Sequence, residues 1–253
     1  MSNVKTDVKE MLAAGVHFGH RASRRHPKMS PYIHSKRGEG HIIDLIKTDK
    51  MLQEALDAVV ETVAKGKTVL FVGTKRQAKD VLKNAAIEAK MPYVTERWLG
   101  GMLTNSKTMS ARIKHLLDLE KKMESGELND RFNKLEVQRF QEEIDRLNRM
   151  FDGVKNHPLK PGLIFVSDMI VDDNAVKEAA TLKVPVVGLC DTNSDPTKIE
   201  FPVPANDDAV KSLQLMTNYV VQAVTEGAAK ASKAPEKEEK KEAKQAKQET
   251  SKK

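Results

Sequence analysis

Apolar residues follow two alternating patterns along this chain. Three short uninterrupted runs, residues 68–72, 162–166 and 185–189, have the length and composition of strands buried on both faces. Each is followed by turn residues and then by a stretch with helical three-four spacing, at 76–90, 173–182 and 207–225. Shorter strands are predicted near 93–95 and 201–203. Strands alternating with helices predict an α/β fold, a mainly parallel sheet with helices on both faces.

Three further patterns fill the gaps. A short helix is predicted over 7–14, ending at Gly15, and strands over 31–34 and 41–43 are joined by the turn 35–40. The stretch 48–65 then carries Met51, Leu52, Ala55, Leu56, Val59, Val60 and Val63 on one helix face and stops at Gly66. Between the strands at 93–95 and 162–166 lie two long amphipathic segments, 107–124 and 131–151. In the first, Met109, Ile113, Leu116 and Met123 keep the spacing, with Glu120 as a break; in the second, Val137, Phe140, Ile144, Leu147 and Phe151 keep it throughout. That spacing predicts an antiparallel coiled-coil helical hairpin with its tip at 125–130. The expected organisation is an α/β domain from residues 1–106 and 152–227, with a basic segment and β-hairpin at 17–47, a hairpin insertion at 107–151, and a tail at 228–253.

Charge sharpens this division. The 253 residues carry 43 Lys plus Arg against 36 Asp plus Glu, a formal charge of +7. Residues 228–253 hold nine Lys and five Glu, with no aromatic residue and no β-branched one except Thr250, which predicts a disordered or weakly helical tail carrying +4. Residues 17–50 hold eight Lys or Arg, three acids and five of the seven histidines, a local balance of +5. The remainder is slightly acidic, so the molecule is polarised rather than evenly basic. No window approaches the roughly 18 apolar residues of a membrane span, and residues 1–10 are too charged for a signal peptide, which sets the expectation of a soluble cytosolic protein. The single cysteine, Cys190, excludes an internal disulfide and a cysteine-type zinc cage, and its place after a buried strand predicts an inert core thiol.

Parallel α/β sheets bind ligands at the carboxyl ends of their strands, so catalytic and cofactor chemistry is sought there first. Gly73-Thr74-Lys75-Arg76 lacks the span of a nucleotide phosphate loop, and the chain contains no GxGxxG. Asp168, Asp191 and Asp195 follow neighbouring strands; they are either turn formers or oxygen ligands for a structural Mg²⁺. His17 and His20 are three residues apart, near enough to meet on one turn, but no further zinc ligands adjoin them. No local arrangement supplies a nucleophile, its base and an oxyanion donor, so catalysis has no named residue. The enzymatic alternative would be a phosphoester enzyme using Asp168, Asp191 and Asp195 with Mg²⁺; a further alternative is an RNA chaperone acting through the tail.

Nucleic acid has a stronger case. Arg21-Ala22-Ser23-Arg24-Arg25-His26-Pro27-Lys28 carries four cations in eight residues, and no acid occurs from Gly19 to Gly38. Looped cations displace counterions from phosphates, and arginine adds planar stacking on exposed bases. Lys36 and Arg37, in the turn of the predicted β-hairpin, make that hairpin a probing element.

Several ordered blocks then resemble a known family. They are Leu12-Ala13-Ala14-Gly15-Val16-His17-Phe18-Gly19-His20, Pro27-Lys28-Met29, His41-Ile42-Ile43-Asp44-Leu45, Phe71-Val72-Gly73-Thr74-Lys75-Arg76, Arg97-Trp98-Leu99-Gly100-Gly101-Met102-Leu103-Thr104-Asn105, Asp191-Thr192-Asn193-Ser194-Asp195-Pro196 and Pro204-Ala205-Asn206-Asp207-Asp208-Ala209. Across about residues 10–226 the chain resembles the second protein of the bacterial small ribosomal subunit, the S-two family. The resemblance implies a three-layer α/β/α sandwich of flavodoxin-like type bearing a coiled-coil hairpin, and a structural role without enzymatic activity, cofactor or small-molecule substrate. It implies docking on small-subunit rRNA between head and body near the mRNA exit, beside neighbouring small-subunit proteins, and help in recruiting the mRNA-binding protein S-one. Arg21, Arg24, Arg25, Lys28, Lys36 and Arg37 are then the expected rRNA contacts, extended by Lys75, Arg76 and Arg97; Arg25 stands where many members carry an aromatic residue. Trp98 is open between packing and RNA contact.

Overall fold

The computed structural model describes residues 2–250, and side-chain burial for 2–232 apart from Asn129. In chain order the elements are α1 (Val8–Ala13), β1 (Phe18–Arg21), β2 (Ile33–Arg37), β3 (Gly40–Ile43), α2 (Leu45–Ala64), β4 (Val69–Val72), α3 (Lys79–Glu88), β5 (Tyr93–Val94), α4 (Ser106–Glu124), α5 (Glu127–Arg131), α6 (Lys134–Phe151), β6 (Leu163–Val166), α7 (Asp173–Leu182), β7 (Val186–Cys190), β8 (Phe201–Pro204) and α8 (Val210–Thr250). Single 3₁₀ turns cover Ala22–Arg24, Pro27–Tyr32 and Pro196–Lys198.

Five strands form one parallel sheet in the order β5-β4-β6-β7-β8. Strand order reverses beside β4, the flavodoxin-like arrangement, and the carboxyl ends of the strands share one edge. Period-two alternation sends consecutive residues to opposite faces. Val69, Phe71, Leu163, Phe165, Val187 and Leu189 join the core under α2, α3 and α8, with Phe71 and Phe165 edge to face at 5.6 Å. Leu70, Val72, Ile164, Val166, Val186 and Cys190 join a second core with α7 and the helical insertion. Helices therefore cover both faces, as the alternating pattern predicts.

α2 shows how the sequence sets one such layer. Asp44 caps it by accepting from the Ile46 and Lys47 amides, and the face from Leu45 to Val63 is buried. Each buried leucine or valine contributes about 1.5–3 kcal/mol. α8 lies across α2, and a Cβ on Gly227 would come within 2.7 Å of Val63 Cβ and 2.9 Å of the Val60 carbonyl oxygen. Glycine at 227 is therefore a close-approach residue rather than a helix stop. α8 continues through it to Thr250, so the segment expected to be disordered or weakly helical has a helical backbone over its described part. Ala, Lys and Glu are strong helix formers, which accounts for the helical alternative. Residues 251–253 lie outside the described residues.

The insertion is helical as predicted, with two differences of detail. Its tip carries the short helix α5 where a loop is expected, and Leu119 rather than Met123 continues the buried stripe Met109, Ile113 and Leu116. Glu120 is half-buried and accepts from Asn148 Nδ2 at 2.7 Å and Lys155 Nζ at 3.2 Å. On α6, Ile144 and Phe151 are buried and Phe140 and Leu147 half-buried, all within the core of the adjoining sheet face. The insertion is thus packed continuously onto the α/β body.

The N-terminal region adds a second sheet, three-stranded and antiparallel, in the order β1-β3-β2. The predicted hairpin is its β2-β3 pair, with strands reaching Arg37 and Gly40 and Gly38 turning at φ +60°. β1 is the strand sequence reasoning missed, because it is only four residues long and alternates around a glycine. His17 and His20 consequently sit at a strand and not on one helical turn.

Candidate nucleic-acid interface and the acidic strand ends

The antiparallel sheet lies against the carboxyl end of the parallel sheet. Gly19 makes this possible: a Cβ there would meet Thr192 Cγ2 at 2.5 Å and Asp191 Oδ1 at 3.3 Å. With glycine, the His20 amide donates to Asp191 Oδ1 at 3.1 Å and to Thr192 Oγ1 at 3.0 Å. The His26 amide donates to the Thr192 carbonyl at 2.8 Å, and Lys28 Nζ pairs with Asp195 at 2.9 Å. The basic segment is pinned at several points along its length.

Beyond those pins its cations face outward. Arg21, Arg24, Arg25, Lys28, Lys36 and Arg37 are all exposed, and Arg76 and Arg97 are exposed on the loops after β4 and β5. Arg21 meets Glu39 at 3.6 Å across the sheet, a pairing worth little between two exposed side chains. Among the described residues Arg24, Arg25, Lys36, Arg37, Arg76 and Arg97 make no ion pair. Such cations have no intramolecular use for their charge.

Lys75 is placed differently from the other expected contacts. Its ammonium, on a side chain 15% exposed, lies 3.0 Å from Asp168, 2.7 Å from Asp207 and 2.8 Å from Asp208. Burial opposes its charge, but the hydrogen bonds to Asp207 and Asp208 outweigh burial and raise its pKa. Asp207 is pushed up to about 7, by burial first and then by the neighbouring Asp168 and Asp191 carboxylates. His20 joins the same cluster: Nδ1 lies 3.1 Å from Asp191 Oδ2 and Nε2 3.3 Å from Asp208 Oδ2. The Asp191 carboxylate raises the pKa of His20 more than burial lowers it.

The three weak metal candidates separate. Asp168 accepts from the Ile170 and Val171 amides and pairs with Lys75, while Asp195 is held well below the usual carboxylate range by the Thr197 hydroxyl, with Lys28 adding to it. Only Asp191 belongs to a group with metal-ligand spacing, formed by His20, Asp191 and Asp207. Asp207 and Asp208 escaped the sequence reading of the site, although their position just after the strand at 201–203 marks the same sheet end. Cys190 is fully buried and its thiol is pushed up to about 12, chiefly by burial, as an inert core thiol requires.

Trp98 is a packing residue. It is 7% exposed, and its Nε1 donates to Glu178 Oε1 at 3.0 Å. Glu178 also accepts from the Gly101, Leu103 and Thr104 amides and the Thr104 hydroxyl, at 2.7 to 3.1 Å. One carboxylate on α7 thereby fixes the loop that carries Arg97, a role that a single acid within a helix does not advertise.

The comparisons with known proteins agree with this architecture. The family model for ribosomal protein S2 matches residues 11–227, so the chain belongs to that family. Similar curated proteins include "Small ribosomal subunit protein uS2" of Chloroflexus aggregans, 44% identical over 220 residues covering 87% of this chain and 92% of that protein. The protein of the same name from Bradyrhizobium diazoefficiens is 46% identical over 224 residues, covering 88% of this chain and 67% of its own length. Among the described residues no helix is long and apolar enough to cross a membrane.

Proposed function

We propose that this protein is a structural, non-catalytic constituent of the small ribosomal subunit in translation, and that the antiparallel sheet and its 3₁₀ turns are its rRNA-binding surface. The observation that carries the reading is the set of exposed cations, Arg24, Arg25, Lys36 and Arg37, that have no acid partner among the described residues, on a segment fixed to the strand ends through Asp191, Thr192 and Asp195. Arg21 and Lys28 border that surface, and Arg76 and Arg97 extend it; Lys75 supports it from within by pairing with the carboxylates beneath. The dock lies between head and body of the subunit, near the mRNA exit, with the protein helping to recruit the mRNA-binding protein S-one. The insertion, with Leu135 60% exposed and Phe132 41% exposed, supplies a contact for a neighbouring ribosomal protein. The site of action is the cytoplasm. Sucrose-gradient sedimentation of cell extracts tests the reading: co-migration with small subunits is expected, and charge reversal at Arg24 and Arg25 should abolish it. A folded protein that stays at the top of the gradient would contradict it.

A further inference from the structure

A cleft of about 300 Å³ opens past the carboxyl ends of β6 and β7, where the turn after β7 meets the basic segment. Its floor follows from Gly188: a Cβ there would meet Met169 Sδ at 2.7 Å, so glycine lets the Met169 side chain lie across β7. Ile170 lines the cleft beside it and is 50% exposed, on a turn that Asp168 holds by accepting from the Ile170 and Val171 amides. The core has no use for an aliphatic side chain held outward.

The polar side of the cleft carries an uncommitted amide. Asn193 makes no side-chain hydrogen bond among the described residues, and its Oδ1 is buried without a donor. An unpaired acceptor of that kind is costly, so the side chain has hydrogen bonds still to give. The charged groups nearby are already matched: Lys28 pairs with Asp195 at 2.9 Å and Lys198 with Asp173 at 2.8 Å. The recess is therefore part apolar and charge-balanced, which does not suit a phosphate. His26 lines it too, half-buried and fixed, with its amide donating to the Thr192 carbonyl at 2.8 Å and its Nδ1 accepting from the Lys28 amide at 3.3 Å. Arg24 and Arg25 directly precede it.

We infer that this cleft takes one unpaired base of the bound RNA, and that the base is adenine. Bases outside a helix are read by stacking on side chains and by hydrogen bonds to their edges. Here an imidazole and a thioether serve the face and an amide serves the edge. Asparagine matches adenine, whose exocyclic amine donates to Oδ1 while a neighbouring ring nitrogen accepts from Nδ2. The flanking phosphates fall to Arg24 and Arg25. The inference rests on the reading that the basic segment binds RNA, yet is separable from it, because phosphate contacts give affinity without sequence preference.

The test titrates the full-length protein at low salt with RNA pentamers that hold uridine at the four outer positions and adenine, guanine, uridine or an abasic site at the centre. Fluorescence anisotropy is expected to show the adenine pentamer binding about tenfold more tightly than the other three. Asn193→Ala should remove that preference, whereas Arg25→Ala should weaken all four pentamers and keep it. Equal binding of all four by the wild type would overturn the inference and leave the phosphate surface standing; failure of all four to bind would overturn both. Should Asn193→Ala not fold, methyl NMR of the wild type decides. The adenine pentamer must shift the Met169 and Ile170 methyl resonances more than the abasic one does, and resonances unmoved at saturation would give the cleft to another occupant and reject the inference.

Discussion

The acidic strand ends and the basic antiparallel sheet adjoin one another yet treat charge in opposite ways. Lys75 is largely enclosed and contacts three carboxylates, whereas Arg24, Arg25, Lys36 and Arg37 are exposed and, among the described residues, contact none. The first arrangement ties together the loops after three different strands, β4, β6 and β8; the second leaves charge available to another molecule. A basic residue at a strand end is thus not equivalent to a basic residue on an open surface. Lys75 and Arg76 are neighbours in sequence and fall on opposite sides of that division.

Truncating each kind of cation should separate the two regions most visibly. Lys75→Met is expected to cost about 3–5 kcal/mol in denaturant unfolding, because it leaves buried carboxylates without their partner. Arg25→Ala should change stability by no more than about 0.5 kcal/mol while weakening RNA binding. Equal losses of stability in the two variants would remove the distinction.

The loops that carry the surface offer two smaller effects. Glu178→Ala removes the acceptor for Trp98, Gly101, Leu103 and Thr104 and should cost about 2–3 kcal/mol by chemical denaturation. Gly19→Ala forces a methyl group against Thr192 and should cost about 1–2 kcal/mol, with faster amide exchange in β1. Unchanged exchange there would show that the basic sheet does not depend on the close approach.

Asp172 gives the smallest effect, a slope rather than a loss. It is 1% exposed and burial pushes its pKa from 3.8 up to about 6, against the hydrogen bonds from Thr74. The folded state therefore holds this proton more tightly than the unfolded state. Its stabilising contribution is complete below the unfolded value and is lost as pH rises through about 6. Asp172→Asn should flatten that decline in melting temperature across the same window; an unchanged decline would assign it to another group.

Much of this was legible in the sequence, for identifiable reasons. Leu163–Val166 and Val186–Cys190 are apolar at every position because the parallel sheet is covered on both faces, and Asp173–Leu182 has the spacing of a helix lying on such a sheet. The acid-free run from Gly19 to Gly38 was equally plain and marked the exposed cations. The cluster around Lys75 was not, since its members are contributed by the ends of β1, β4, β6, β7 and β8 and meet only in the folded sheet. Distance along the chain hid Glu178 in the same way: its partners Trp98 and Gly101 lie more than seventy residues away.

If the division between the two regions is right, the exposed cations of the antiparallel sheet bind phosphate and the enclosed Lys75 does not. Salt dependence of binding to small-subunit rRNA decides this when wild type is compared with the Arg24→Glu, Arg25→Glu double variant. The slope of log affinity against log salt should become shallower by about one unit for each phosphate that the variant no longer neutralises. A variant that folds normally and keeps the wild-type slope would contradict the assignment.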